Sequence, residues 1–121
     1  MSQIAYTEHE RYLEARLWTT DSTDRIKEQI AELLKACIER KTRKVLVDFS
    51  GFVGTWSLID RYELGTAGAR FAPHVSRVAV FSKADLIDRE KFGVRVAQNR
   101  GLNIEIFDDR EKAVLWLLET D

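Results

Sequence analysis

Two apolar runs constrain this chain more than anything else in it. Val45-Leu46-Val47 and Val78-Ala79-Val80-Phe81 are continuous rather than alternating. A strand with one wet face alternates with period two, so an unbroken run marks a strand covered on both faces. Strands of that kind belong to a mainly parallel sheet with helices packed on it, and the segments between them must supply those helices.

They do. Ile26, Ile30, Leu33, Leu34 and Cys37 recur at spacings of three and four, which predicts an amphipathic helix reaching about Arg40. Asp21 is its cap candidate, with Asp24 in the first turn. Further helices are predicted over Ser57–Phe71, Asp88–Asn99 and Asp109–Glu119, with strands at Lys44–Phe49, Val78–Phe81 and Ile104–Phe107. Pro73 stops the second helix, Gly101 follows the third, and Asp108 with Glu111 reads as a cap pair for the fourth. Ile4–Thr7 and Arg11–Trp18 alternate loosely around Glu8-His9-Glu10, which predicts an antiparallel hairpin. The expected fold is therefore α/β: one domain over residues 1–121, with a mixed, mainly parallel sheet of about five strands, an antiparallel N-terminal edge and about four helices. Trp18 and Trp116 are expected in the core.

Charge and cysteine content narrow the function. The formal net charge is −1, from 19 basic and 20 acidic side chains dispersed along the chain, so nothing marks a nucleic-acid surface. Cys37 is the sole cysteine, which excludes an internal disulfide and suits a reducing compartment. Its place on a helix stripe favours a small core residue over a reactive thiol. The charged N-terminal stretch is unlike a signal peptide, and no apolar run approaches the ~20 residues of a membrane span. A cytoplasmic protein that is not an integral membrane protein is expected.

Ligands of open parallel sheets bind beyond the carboxyl ends of the strands, here after Trp18, Phe49, Phe81 and Phe107. The turn SGFVGTWS has two glycines before a helix but lacks the lysine of a phosphate loop. Asp48 stands where a phospho-accepting aspartate would, but the further carboxylates on offer to hold magnesium, Asp21 and Asp24, are better spent as helix starters, and bonding to the backbone of the following turn accounts for Asp48. His9 and His74 have no matching metal ligands. Nothing in the spacing brings Ser57 to a histidine, and Asp60, Glu63, Asp85, Asp88, Asp108 and Asp109 read as caps and solvated faces. The expectation is no enzyme: no catalytic residues, no metal and no cofactor.

The strand-turn-helix LVDFSGFVGTWSLIDRYELG and the closing FDDREKAVLWLLE, with Ala113 and Trp116-Leu117, resemble the STAS superfamily, and more narrowly the stand-alone bacterial SpoIIAA-like proteins. That family is akin to CRAL-TRIO lipid-binding domains. The resemblance implies two functions. One is a non-enzymatic module binding a small apolar or lipid-like ligand. The other is a regulatory protein-interaction module of the anti-sigma-factor-antagonist type, switched by phosphorylation of a serine at a helix start. Asp48, Ser50 and Gly51 match the beginning of that motif, and Ser57 falls at the regulated serine. Trp56 replaces the preceding Asp, and Leu58-Ile59 replace small residues, so the sequence departs from the motif there. As a helix cap, Ser57 needs no further role. A homodimer stays open.

Phe52 and Trp56 either fold over the sheet end or line a ligand mouth. Gly65, Ala67, Gly68 and Ala69 either let their helix pack closely or leave room for a guest; glycine inside a helix costs about 1 kcal/mol against alanine, so some reason must exist. The expected ligand site is an apolar pocket between the Phe52–Trp56 turn and the Ser57 helix, lined by Phe52, Trp56, Leu58, Tyr62, Gly65 and Phe71, with Ser57 as phosphosite or partner contact.

Overall fold

The computed structural model describes residues 4–17, 23–52 and 54–119. Trp18 and the cap candidate Asp21 lie outside the described residues. In chain order the elements are β1 (Ile4–Glu8), β2 (Leu13–Leu17), α1 (Thr23–Arg40), β3 (Lys44–Asp48), α2 (Leu58–Gly68), β4 (Arg77–Phe81), α3 (Phe92–Asn99), β5 (Ile104–Phe107) and α4 (Arg110–Leu117). Short 3₁₀ turns occupy Ala69–Phe71 and Ala84–Leu86. The five strands lie side by side in their order along the chain, with β1 antiparallel to β2 and every later pair parallel. This is the expected mixed α/β sheet.

All five residues of β3 are buried, as its unbroken apolar run requires. Val45 and Val47 join the larger core, with Ile26 and Leu33 of α1 and Val94 and Ala97 of α3. Leu46 points the other way, into a smaller core with Ala79 of β4 and Ala113 and Leu117 of α4. Trp116 is only half-buried there. Its ring tilts against Phe107 at 5.8 Å, and the Arg77 guanidinium lies 4.4 Å from its centroid.

That division of helices follows from the strand order. A right-handed crossover between parallel strands puts its helix on a face set by the direction of progress across the sheet. From β2 to β5 the progress never reverses, so α1, α2 and α3 share one face. The second face is covered only when α4 returns over β3, β4 and β5.

Some boundaries differ from the sequence reading. Residues 9–12 connect β1 to β2, closed by His9 N–H donating to Tyr12 C=O at 2.9 Å, with the two rings stacked 4.3 Å apart. The predicted helix from Asp88 begins only at Phe92, because Lys91 takes a left-handed conformation (φ 50°) that breaks the helical path. The Asp88 carboxylate instead accepts the Phe92 N–H at 3.1 Å across that break. The cap of α4 is Asp109, which accepts from Lys112 N–H at 3.1 Å, and not Asp108. Asp48 serves the turn behind it, accepting Ser50 N–H at 2.8 Å.

Candidate functional site: an apolar cavity under α2 and α3

Helix α2 starts where it does because of a capping box. Ser57 Oγ accepts Asp60 N–H at 3.0 Å, and Asp60 Oδ2 accepts Ser57 N–H at 2.9 Å. One turn further on, Gly65 meets α3 at backbone distance. A Cβ built on Gly65 would lie 2.3 Å from Gly93 C=O, and one on Gly93 would lie 2.9 Å from Arg61 C=O. Gly68, almost a turn beyond Gly65, has open space where its Cβ would be, with no neighbour inside 4 Å. The two glycines of α2 thus answer differently. Gly65 permits close packing, and Gly68 borders a void.

That void belongs to a partly open apolar cavity of about 110 Å³ between α1, α2, α3 and the sheet. Val47 and Phe49, Val78 and Val80, and Ile104 and Ile106 form its floor, while Leu86 and Ile87 from the link before α3 close it from the side. Trp56 stands in its wall, braced edge-on by Phe49 at 5.7 Å and by Phe52 at 4.9 Å.

The charged lining residues are Arg61, Asp88 and Lys91, all partly exposed. Arg61 Nη1 donates to Leu86 C=O at 2.8 Å and to Asp88 Oδ1 at 3.1 Å, tying α2 to the link. Lys91 Nζ donates to Glu105 Oε1 at 3.3 Å. No serine, cysteine or histidine lines the cavity among the described residues. Its one carboxylate, Asp88, is held by a guanidinium and a helix N–H rather than left as a free base.

Of the residues expected at a ligand site, Trp56, Gly65 and Phe71 line the cavity. Phe52 does not. It is 2% exposed and packs behind Trp56. Leu58 and Tyr62 do not either; they are 65% and 46% exposed on the outer side of α2. Tyr62 borders a surface groove between α1 and α2, and its hydroxyl accepts from Arg100 Nη2, at the end of α3, at 3.2 Å. The cavity also sits deeper than expected, beneath the helical layer rather than in the turns past the strand ends. A crevice at the strand ends arises where strand order reverses and leaves helices on opposite faces, and this sheet has no such reversal.

Arg61, Lys91, Gly93 and the α3 residues Val94 and Ala97 were not foreseen at the site. Gly93, in the first turn of a helix, carried a signal that its counterpart Gly65 also carried. Lys91 carried none, because a left-handed lysine looks like any other lysine in sequence.

Elsewhere, burial pushes the Cys37 thiol up to about 11, so it is an unreactive core group. Among the described residues no three His, Cys, Asp or Glu side chains are grouped to hold a metal ion. No helix among them is long and apolar enough to cross a membrane.

The SpoIIAA-like family model matches residues 6–118 of the chain. The fold is similar to the crystal structure of an uncharacterised protein with a SpoIIAA-like fold from Shewanella loihica PV-4. The TM-score is 0.57 at 21% identity, over 94% of this chain and 91% of that one. No curated protein matches the sequence.

Proposed function

Because this chain belongs to the SpoIIAA-like family, we propose that it acts as a non-enzymatic, cytoplasmic binding module whose cavity under α2 and α3 takes a small apolar ligand. One observation carries this reading: about 110 Å³ of partly open space with a mainly apolar lining that, among the described residues, contains no serine, cysteine or histidine. Sites for small molecules are concave, mainly apolar and few in a protein. At roughly 30 Å³ for each atom-sized unit, the space holds a group of about four carbons. A medium-chain fatty acid exceeds that space, so the lipid-like reading narrows to a ligand whose buried part is about four carbons.

The test is a titration with a small neutral probe such as 1-pentanol, read in ¹⁵N–¹H spectra. Amide signals of Gly65, Gly68 and Gly93 should shift together, and Gly68→Leu, which fills the void, should abolish the response. Unmoved glycine signals at millimolar probe would refute the reading.

The outer side of α2 favours a second reading, a docking surface for a regulatory protein. Leu58 and Ile59 are 65% and 71% exposed beside the accessible Ser57. Phosphate on Ser57 would confront the Asp60 carboxylate and disturb the capping box. If this face docks a kinase-like partner under such control, Ser57→Asp abolishes capture while Ser57→Ala preserves it. Equal capture by both variants removes the switch.

A further inference from the structure

We propose that the open edge of the sheet, β1, pairs antiparallel with β1 of a second copy of this chain, joining two five-stranded sheets into one across a two-fold axis at Tyr6. No residue of β1 lines the cavity under α2 and α3, so the inference stands apart from the ligand reading.

The two edges of the sheet, β5 and β1, are finished differently. Val78 N–H donates to Asn103 C=O and Ser82 N–H to Phe107 C=O, so odd-numbered residues along β5 bond to β4, while Ile104 and Ile106 turn their backbone groups outward. Side chains meet them there. Gln98 Nε2 donates to Ile104 C=O at 2.8 Å, and Glu105 Oε1 accepts Ile106 N–H at 3.1 Å. Those side chains stand where a further strand would bond.

β1 has no such cover. His9 N–H donates to Tyr12 C=O across the hairpin, and with Glu8 opposite Leu13 this makes the odd-numbered residues of β1 the ones bonded to β2. Tyr6 and Glu8 therefore turn N–H and C=O to the open edge, where no group among the described residues meets them. The strand also lacks the usual devices that keep an edge single. Ile4–Glu8 holds no proline or lysine, and its register on β2 runs without a bulge.

The charges beside the edge favour a second β1 as its occupant. Antiparallel pairing about Tyr6 sets Ala5 opposite Thr7 and Glu8 opposite Ile4, so no like charges face each other across the seam. Arg40 stands at the Glu8 end, with Nη1 3.2 Å from Glu8 Oε1 and its guanidinium 4.8 Å from the Tyr6 ring. Glu32, two turns or about 12 Å earlier in α1, is exposed and makes no hydrogen bond or ion pair among the described residues. Both act on Tyr6: burial raises its phenol pKa, Glu32 adds to the rise and Arg40 opposes it. α1 returns antiparallel to β2 and so runs along β1, which puts Glu32 toward the Ile4 end. The two-fold axis reverses one copy and brings each Arg40 beside the Glu32 of the other. With α1 on β2, the two α1 helices stand three strand spacings, about 14 Å, apart. Helices roughly 10–12 Å across clear one another at that distance, and long side chains span it.

Sedimentation velocity over about 1–500 µM protein tests for the dimer, and backbone hydrogen exchange locates it. A seam of five residues a side is small, so the dimer should dissociate within this range. As it fills, exchange of the Tyr6 and Glu8 amides should slow about tenfold, while Thr7, bonded to β2, is protected throughout. Glu8→Pro removes an outward N–H and no bond to β2, so it should unfold close to wild type and stay monomeric. Glu32→Arg should weaken the dimer about fivefold at low salt, and the deficit should shrink by about 0.5 M NaCl. A monomer throughout, with Tyr6 exchange the same at every concentration, overturns the proposal. So does a dimer that survives Glu8→Pro, since it must use another surface. If Glu8→Pro does not fold, exchange of the wild-type Tyr6 amide decides alone.

Discussion

Adding one methyl group at Gly65 should break the closest contact in the helical layer. The new Cβ would stand 2.3 Å from Gly93 C=O and 2.9 Å from Val96 Cβ. Atoms in contact sit near 3.5 Å, so α2 and α3 must separate by roughly 1 Å at this crossing. The obstacle is backbone and cannot rotate aside. Overpacking of this kind costs about 1–3 kcal/mol, and a backbone clash belongs at the upper end. The better helix propensity of alanine returns about 1 kcal/mol, leaving Gly65→Ala destabilised by about 2 kcal/mol. Gly68 supplies the control. It has an ordinary right-handed conformation (φ −64°) and nothing within 4 Å of its Cβ position. Gly68→Ala should therefore gain about 0.4–1 kcal/mol by restricting the unfolded chain. The assay is urea unfolding followed by circular dichroism, with unfolding midpoints compared at constant m. The two variants should move in opposite directions. Gly65→Ala within about 0.5 kcal/mol of wild type would refute the helix contact as described.

At the start of the same helix, Ser57→Ala should lose about 1 kcal/mol by the same assay, while Ser57→Asp, which retains an acceptor for Asp60 N–H, should lose less. A third prediction concerns Glu14. Burial would raise its pKa, but hydrogen bonds from Arg110 and His9 outweigh that and hold it below the usual carboxylate value. A lowered folded-state pKa contributes stability above the unfolded value of about 4.5, and that stability is lost as pH falls through the folded value. The stability gap between wild type and Arg110→Ala should therefore be open at about pH 7 and shrink by about pH 3.5. A gap independent of pH would refute the coupling.

The fold was legible because its strongest signals are long-wavelength ones. A strand such as Val45-Leu46-Val47 needs cover on both faces whatever its neighbours are, and the α1 stripe from Ile26 to Cys37 repeats often enough to outvote single residues. Cap residues were legible where one side chain had one backbone partner, as at Ser57, and ambiguous where two acids stood side by side, as at Asp108 and Asp109. The start of α3 was misplaced because Asp88 has the right chemistry for a helix start but uses it across a left-handed residue. The site was harder. Trp56 and Phe52 look alike in sequence, yet one borders the cavity and the other props it from behind. Which glycine touches a helix and which faces space depends on how α2 lies against α3, a relation between segments about 28 residues apart that no local pattern encodes.

The strand order has a consequence for how the protein is made. Since every strand pairs with the one before it, a chain emerging from the ribosome can extend its sheet one edge at a time, without reopening a pair to insert a latecomer. The helices do not arrive so evenly. α1, α2 and α3 cover their face as each strand is laid down, but Leu46 and Ala79 on the opposite face must wait for Ala113 and Leu117. Until α4 folds back, the nascent domain is a finished sheet with one bare apolar side. The docking of α4 therefore decides whether the rest remains a single molecule or finds another sheet to cover it.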